Sequence, residues 1–111
     1  LTHPNRLDGC SSRLEWPKIK EMTFELPDER FPALQLGYDV IRLGGTAGAV
    51  VNAANEVANE LFRSQNIRFG QIVHRVQVVL ERHKKSGFVA EPSLDQLLAA
   101  DAWARKETRG L

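Results

Sequence analysis

The sequence predicts a mainly α protein: a four-helix bundle preceded by an extended arm with one short strand. Three observations carry that expectation. From residue 31 onward apolar side chains recur at three- and four-residue spacing. The runs are separated by short clusters of Gly, Ser and Asn, and short loops favour antiparallel helical neighbours. Before residue 28, Pro4, Pro17 and Pro27, with Asp8-Gly9 and Ser11-Ser12, interrupt any helical pattern. At 111 residues a single domain is expected, with residues 1–27 as the arm and residues 28–111 as the helical bundle.

Within the arm, Met22-Thr23-Phe24-Glu25-Leu26 alternates apolar and polar side chains, which predicts a strand over 22–26. One strand cannot satisfy its own edges, and no second convincing strand follows. Its partner is therefore missing or supplied by another polypeptide, and a second copy of the chain is one such supplier. The chain opens on Leu1 rather than Met, with no leader pattern, so a piece of something longer is expected.

The first helix begins near Phe31-Pro32, because Pro at the first helical position loses only an N–H that would be unpaired anyway. Asp28 and Glu29 lie just upstream, where negative charge favours a helix N-terminus. Leu34, Tyr38 and Ile41 form its expected apolar face, with Leu36, Val40 and Leu43 beside it, and Gly44-Gly45 ends it. The second helix, with Thr46 as expected N-cap, runs to Phe62 or Arg63 and organises the rest. Ala47, Val50, Val51, Ala54, Val57, Ala58, Leu61 and Phe62 fall within an arc of roughly 140°. The small residues Ala47, Ala54 and Ala58 admit a neighbouring helix closely. Asn52, Asn55 and Asn59 form a strip beside this arc, although Asn is a mediocre helix former. With Glu56 they are the candidate structural or interdomain residues, expected to bond across to the arm or to a neighbouring helix. Solvation and ligand contact are the alternatives.

After the Ser64-Gln65-Asn66 loop, the third helix is expected from Phe69 to His83, with Phe69, Ile72, Val73, Val76, Val79, Leu80 and His83 on its apolar spacing. Lys84-Lys85 complement its C-terminal carbonyls, and Ser86-Gly87 ends it. The fourth opens with a capping box, Ser93 and Gln96, behind Pro92. Leu94, Leu97, Leu98 and Ala102 form its expected apolar face, and Asp101 and Arg105 can pair.

The chemistry-bearing residues form no persuasive catalytic constellation. Fifteen basic against 14 acidic residues leave a net charge of +1, which argues for neither nucleic acid nor an anionic membrane as partner. No apolar run approaches the roughly 20 residues of a spanning helix. Cys10 is alone, so an internal disulfide is excluded; it reads as a spectator thiol, as expected in a reducing compartment. His3 lies in the arm, while His74 and His83 are nine apart on opposite sides of one helix; all read as surface or boundary side chains, with no metal-ligand spacing. Gly44-Gly45-Thr46-Ala47-Gly48 lacks the spacing of a phosphate loop and reads as a helix stop followed by a helix start. Glu25, Asp28 and Glu29 read as a solvated cluster beside Arg30, and Arg68, Arg75 and Arg82 as a solvated stripe. No catalytic, cofactor-binding or metal residue is assigned.

Several short segments, in order, are nevertheless recognisable. Gly44-Gly45-Thr46-Ala47 leading into Asn52-Ala53-Ala54-Asn55-Glu56 resembles a signature of the 1-deoxy-D-xylulose 5-phosphate reductoisomerase family. Leu14-Glu15-Trp16, Leu26-Pro27-Asp28, Arg30-Phe31-Pro32, Ile67-Arg68-Phe69 and Asp101-Ala102-Trp103-Ala104-Arg105 fit the same pattern. So does the opening Leu1 to Leu7, with His3 and Asn5 as departures, and Gly48 stands where the family usually has Pro. The resemblance covers nearly the whole chain and corresponds to the family's C-terminal helical domain.

The resemblance implies a parent enzyme with an NADPH-binding domain, a connective catalytic domain built on a sheet, and this bundle. Such an enzyme isomerises and reduces 1-deoxy-D-xylulose 5-phosphate to 2-C-methyl-D-erythritol 4-phosphate in the non-mevalonate isoprenoid pathway, using NADPH and Mg²⁺ or Mn²⁺. It further implies a homodimer in the bacterial cytoplasm or in a plastid. The rest of the enzyme would be this chain's partner, with the strand at 22–26 joining the connective sheet. The family's dinucleotide turn, metal segment and substrate segment have no counterpart here, so the chain alone is expected to be inactive and to bind neither NADPH nor metal. The alternative is a free-standing helical interaction module with no enzymatic parent.

Overall fold

The computed structural model describes residues 4, 5, 7, 9 and 11–111. Five helices follow one another: α1 (Trp16–Ile19), α2 (Pro32–Leu43), α3 (Ala47–Arg63), α4 (Gln71–Ser86) and α5 (Leu94–Arg109). The four long ones are the helices expected from the periodicity. The one-turn α1 was not expected. It forms because Pro17 falls in the first turn, where its fixed φ suits a helix, and it buries nothing. Among the described residues there is no strand. Residues 22–26 find no neighbour to pair with, and Met22, Phe24 and Leu26 stand exposed. His3, Cys10 and most of the opening segment that carries the family resemblance lie outside the described residues.

The hub is α3. Helices α4 and α5 both pack along it, and α2 lies more lightly across α3 and α4. On α3 the buried side chains are Ala47, Val50, Ala53, Ala54, Val57 and Ala58. Compared with the expected arc, burial is rotated by roughly 40° toward Ala53, so Val51 sits half-buried and Phe62 is exposed, while Leu61, in the last turn, is half-buried. The reason is α5, which presents Ala100, Ala104 and Thr108, one turn apart, and so can approach the Ala53 flank closely. Ile72, Val76, Val79 and Leu80 of α4 close the other side.

Two expected apolar faces prove to be the bare ones. On α2, Leu36 is buried, with Val40 and Leu43 packed partly beneath it, whereas Leu34, Tyr38 and Ile41 point outward. On α5, Leu94, Leu98 and Ala102 are exposed and Leu97 is half-buried, while Ala100, Ala104 and Thr108 face the core. In both helices apolar residues occupy more than one face; α2 turns Leu36, Val40 and Leu43 inward, and α5 the small Ala100, Ala104 and Thr108 that let it lie close to α3.

The helix ends follow local chemistry. Gly44 and Gly45 adopt φ of 63° and 52°, the left-handed region that ends α2 cheaply only for glycine. At the end of α3, Gln65 takes φ 61° while Asn66 N–H donates to Leu61 O and Gln65 N–H to Phe62 O, a Schellman closure without glycine. At the start of α5, Ser93 accepts from Gln96 N–H and the Gln96 amide returns the bond to Ser93 N–H, as the capping box predicts. The third long helix starts at Gln71 rather than Phe69, which is exposed and meets Phe62 edge-on at 5.7 Å.

Candidate functional site

The Asn strip lies on the exposed side of α3. Its amides bond along their own helix rather than across to another segment. Asn52 donates to Glu56 Oε1 at 3.1 Å, and Asn59 donates to the carbonyl and side-chain oxygens of Asn55 at 2.8 and 3.0 Å. The reach to a neighbouring helix comes from Glu56. Its other oxygen accepts from Arg105 of α5 at 2.7 Å, and Arg105 also forks onto Asp101. Arg105 and Asn52 together hold the Glu56 carboxyl below the usual carboxylate range, and the two carboxylates raise the Arg105 guanidinium. Below them Arg109 approaches Glu60, so acidic residues of α3 and basic residues of α5 face each other along the seam.

The opposite edge of α5 is tied to α4. Arg75 donates to Thr108 O at 3.0 Å and Arg82 to Glu107 at 2.9 Å. The arginine stripe is thus not simply solvated: two of its three members brace α5. The acidic cluster before α2 includes its own partner, with Asp28 held low by Arg30, which donates to it from both side chain and backbone.

Among the described residues a buried polar constellation centres on His83 and Thr46, which the sequence reading does not anticipate. His83, expected at the surface or a boundary, is buried beneath Trp103 and Phe88, at ring-centroid distances of 5.2 and 6.4 Å. Its Nε2 lies 2.7 Å from Thr46 Oγ1. Thr46 does not cap α3 with its side chain. Its hydroxyl is engaged in the core, where it accepts from Val89 N–H at 3.1 Å, while Thr46 N–H donates to Val89 O at 3.0 Å. Burial pushes the His83 imidazole below its ordinary pKa, so it is neutral near pH 7, and its Nε2 and the Thr46 hydroxyl share one buried hydrogen bond. The two loops approach so closely that a Cβ on Gly45 would stand 2.2 Å from Val89 O. This clasp joins the α2–α3 turn to the α4–α5 loop. Its signal in the sequence was His83 falling on the apolar spacing of its helix.

The third feature is a surface. A groove of about 310 Å³ between α2, α3 and α4 is lined by Leu36, Gly37, Gly48, Val51, Asn52 and Asn55, among others. Beside it the outer face of α2 exposes Leu34, Tyr38 and Ile41. Among the described residues no group of three or more His, Cys, Asp or Glu side chains is placed to hold a metal ion. None of the helices is long and apolar enough to cross a membrane. Among the described residues the arrangement offers packing and ion pairing.

Comparison with known proteins agrees with a body of this kind. The family model for the DXP reductoisomerase C-terminal domain matches residues 1–107. A 1-deoxy-D-xylulose 5-phosphate reductoisomerase of Synechococcus sp. (strain JA-2-3B'a(2-13)) is 45% identical over the whole chain. One from Bradyrhizobium sp. (strain BTAi1) is 47% identical over the whole chain. In each case this chain spans 28% of the relative's length. The solved reductoisomerase of Zymomonas mobilis in complex with NADPH superposes with a TM-score of 0.79 at 37% identity, over 97% of this chain and 28% of that one. The chain therefore belongs to the DXP reductoisomerase C-terminal domain family.

Proposed function

We propose that this chain serves as the C-terminal helical domain of a 1-deoxy-D-xylulose 5-phosphate reductoisomerase, bracing the catalytic part of that enzyme. The whole enzyme would convert 1-deoxy-D-xylulose 5-phosphate to 2-C-methyl-D-erythritol 4-phosphate with NADPH and Mg²⁺ or Mn²⁺, as a homodimer. The observation that carries the reading is the match of the C-terminal domain family to residues 1–107. The geometry supports a bracing role, because the described residues bring together ion pairs and packed alanines rather than reactive groups. Cofactor and metal then belong to the remaining part of the enzyme. Asn52, Asn55 and Asn59 fit an interdomain role better than an internal one, since their amides bond only along the open side of α3, whereas Glu56 ties α3 to Arg105 of α5.

The test is a coupled one. NADPH oxidation dependent on 1-deoxy-D-xylulose 5-phosphate and Mn²⁺ is expected from the intact polypeptide and is expected to vanish when residues 28–111 are removed. Turnover surviving that removal would sink the bracing role. Calorimetric titration of the 111-residue chain with NADPH and Mn²⁺ is expected to be flat, and micromolar binding would contradict the assignment of both to the other part.

A further inference from the structure

Helix α2 is apolar on two opposite faces, and only one of them is used. Leu36, Val40 and Leu43 face α3 and α4. Phe31, Leu34, Tyr38 and Ile41 lie along the other side and keep 58, 47, 51 and 78% of their surfaces exposed. The bare surface continues backward along the chain, because Trp16, Met22, Phe24 and Leu26 of the arm are exposed as well. Isolated exposed apolar residues are ordinary, but a contiguous set of large ones marks an interaction surface.

A second observation points the same way. Gly37 sits in the interior of α2 and lines the groove beside this face. Glycine weakens a helix interior relative to alanine. Nothing within the described structure requires glycine there: a Cβ built on Gly37 would meet nothing within 4 Å. A helix-interior glycine that its own chain does not require allows close approach by something else. Gly45 is the contrast, since there the close neighbour is Val89 of the same chain.

We propose that the outer face of α2, with the groove at Gly37 and Gly48, is the seat of the polypeptide that precedes this domain in its full-length relatives, docked through an apolar surface. The inference rests on the proposed function above. It commits to that occupant because the chain spans only 28% of those relatives and matches their C-terminal domain, so the remainder precedes it. The bare surface lies on the arm and on the first long helix, the part of the domain that such a remainder enters. The surface also calls for a mainly apolar partner, since of the charges beside it Asp28 pairs with Arg30 and Asp39 with Arg42, with Glu29 at its edge.

The experiment uses the intact polypeptide with Cys10 replaced by serine and one new thiol, Ile41→Cys, read by its alkylation rate against the same chain in urea. Docking predicts a rate slowed by at least about tenfold, as for a site that reacts only through local opening. Gly37→Leu in the same background is expected to restore fast alkylation by filling the groove, whereas Gly37→Ala restores it less. Alkylation of Ile41→Cys close to the unfolded rate overturns the proposal. So does protection that disappears on dilution, which would mean a second copy covers the face. Turnover of the Cys10→Ser parent keeps the two readings apart. An active enzyme with a reactive Cys at 41 sinks this inference alone, and an inactive one bears on the proposed function instead.

Discussion

Helices α3 and α2 were both legible from periodicity, yet they stand in different relations to the rest of the chain. In α3 every fully buried side chain meets a partner from this chain, and its polar flank is tied to α5 through Glu56 and Glu60. In α2 one of the two apolar faces, that of Leu34, Tyr38 and Ile41, stays largely exposed among the described residues. The difference teaches that an amphipathic pattern reports that a face will be covered and leaves open by what. A helix with two apolar faces is written for two neighbours, and this chain supplies one.

The sharpest way to test the contrast is a matched pair of substitutions in this chain. Val57→Asp places a charge where 1% of the residue is exposed, and it is expected to cost more than about 4 kcal/mol. For a domain with about 5–15 kcal/mol to lose, the cooperative thermal transition should largely disappear. Ile41→Lys, at a position 78% exposed and near the C-terminal end of α2, should move stability by no more than about 0.5 kcal/mol. Circular dichroism melts of the two variants measure the contrast. A large loss for Ile41→Lys would mean that the outer face is already covered within this chain.

The same contrast explains what the sequence revealed and what it hid. The long helices, the glycine stop at Gly44-Gly45 and the Ser93–Gln96 capping box depend on neighbours a few residues away, and all were readable. Which side of α2 and α5 turns inward depends on packing at helix crossings tens of residues apart. On α5 the bulky Leu94 and Leu98 are exposed while the small Ala100 and Ala104 are buried, and on α2 Leu36 is buried rather than Leu34 or Tyr38. Thr46 shows the limit most clearly. Its local position is that of an N-cap, but a hydroxyl that can reach His83 and Val89 does more in the core than at the helix end. The Asn strip was visible as an oddity, yet its bonds turn out to be intrahelical.

A smaller effect is expected at the clasp. Thr46→Val keeps the shape and removes the hydroxyl, leaving Val89 N–H and His83 Nε2 unpaired, at a cost of about 1–3 kcal/mol. The clasp also fixes the sign of a pH dependence. His83 has a lower pKa folded than unfolded, so the folded chain binds fewer protons there. Its contribution is fully present above the ordinary value of 6.5 and is lost as pH falls below it. Melting temperature should therefore decline between pH 6.5 and 5.5, and a His83→Gln chain should lack that component of the decline. Identical slopes in the two chains would show that His83 does not remain neutral in the fold.

The smallest effect belongs to the charged seam between α3 and α5, and it separates that seam from the packed alanines beneath it. Arg105 is the shared partner of Glu56 and Asp101, but all three side chains keep a third or more of their surface in water. Exposed pairs gain little because solvent screens them and two long side chains must be held in place. Arg105→Gln should lower the melting temperature by less than Thr46→Val does. Because the attraction is screened, the difference between parent and variant should shrink as salt rises toward about 1 M, where the screening length is about 3 Å. A deficit that persists undiminished in high salt would mean that Arg105 acts through the packing of its stem against the helices. The polar edge of the seam would then be part of its core.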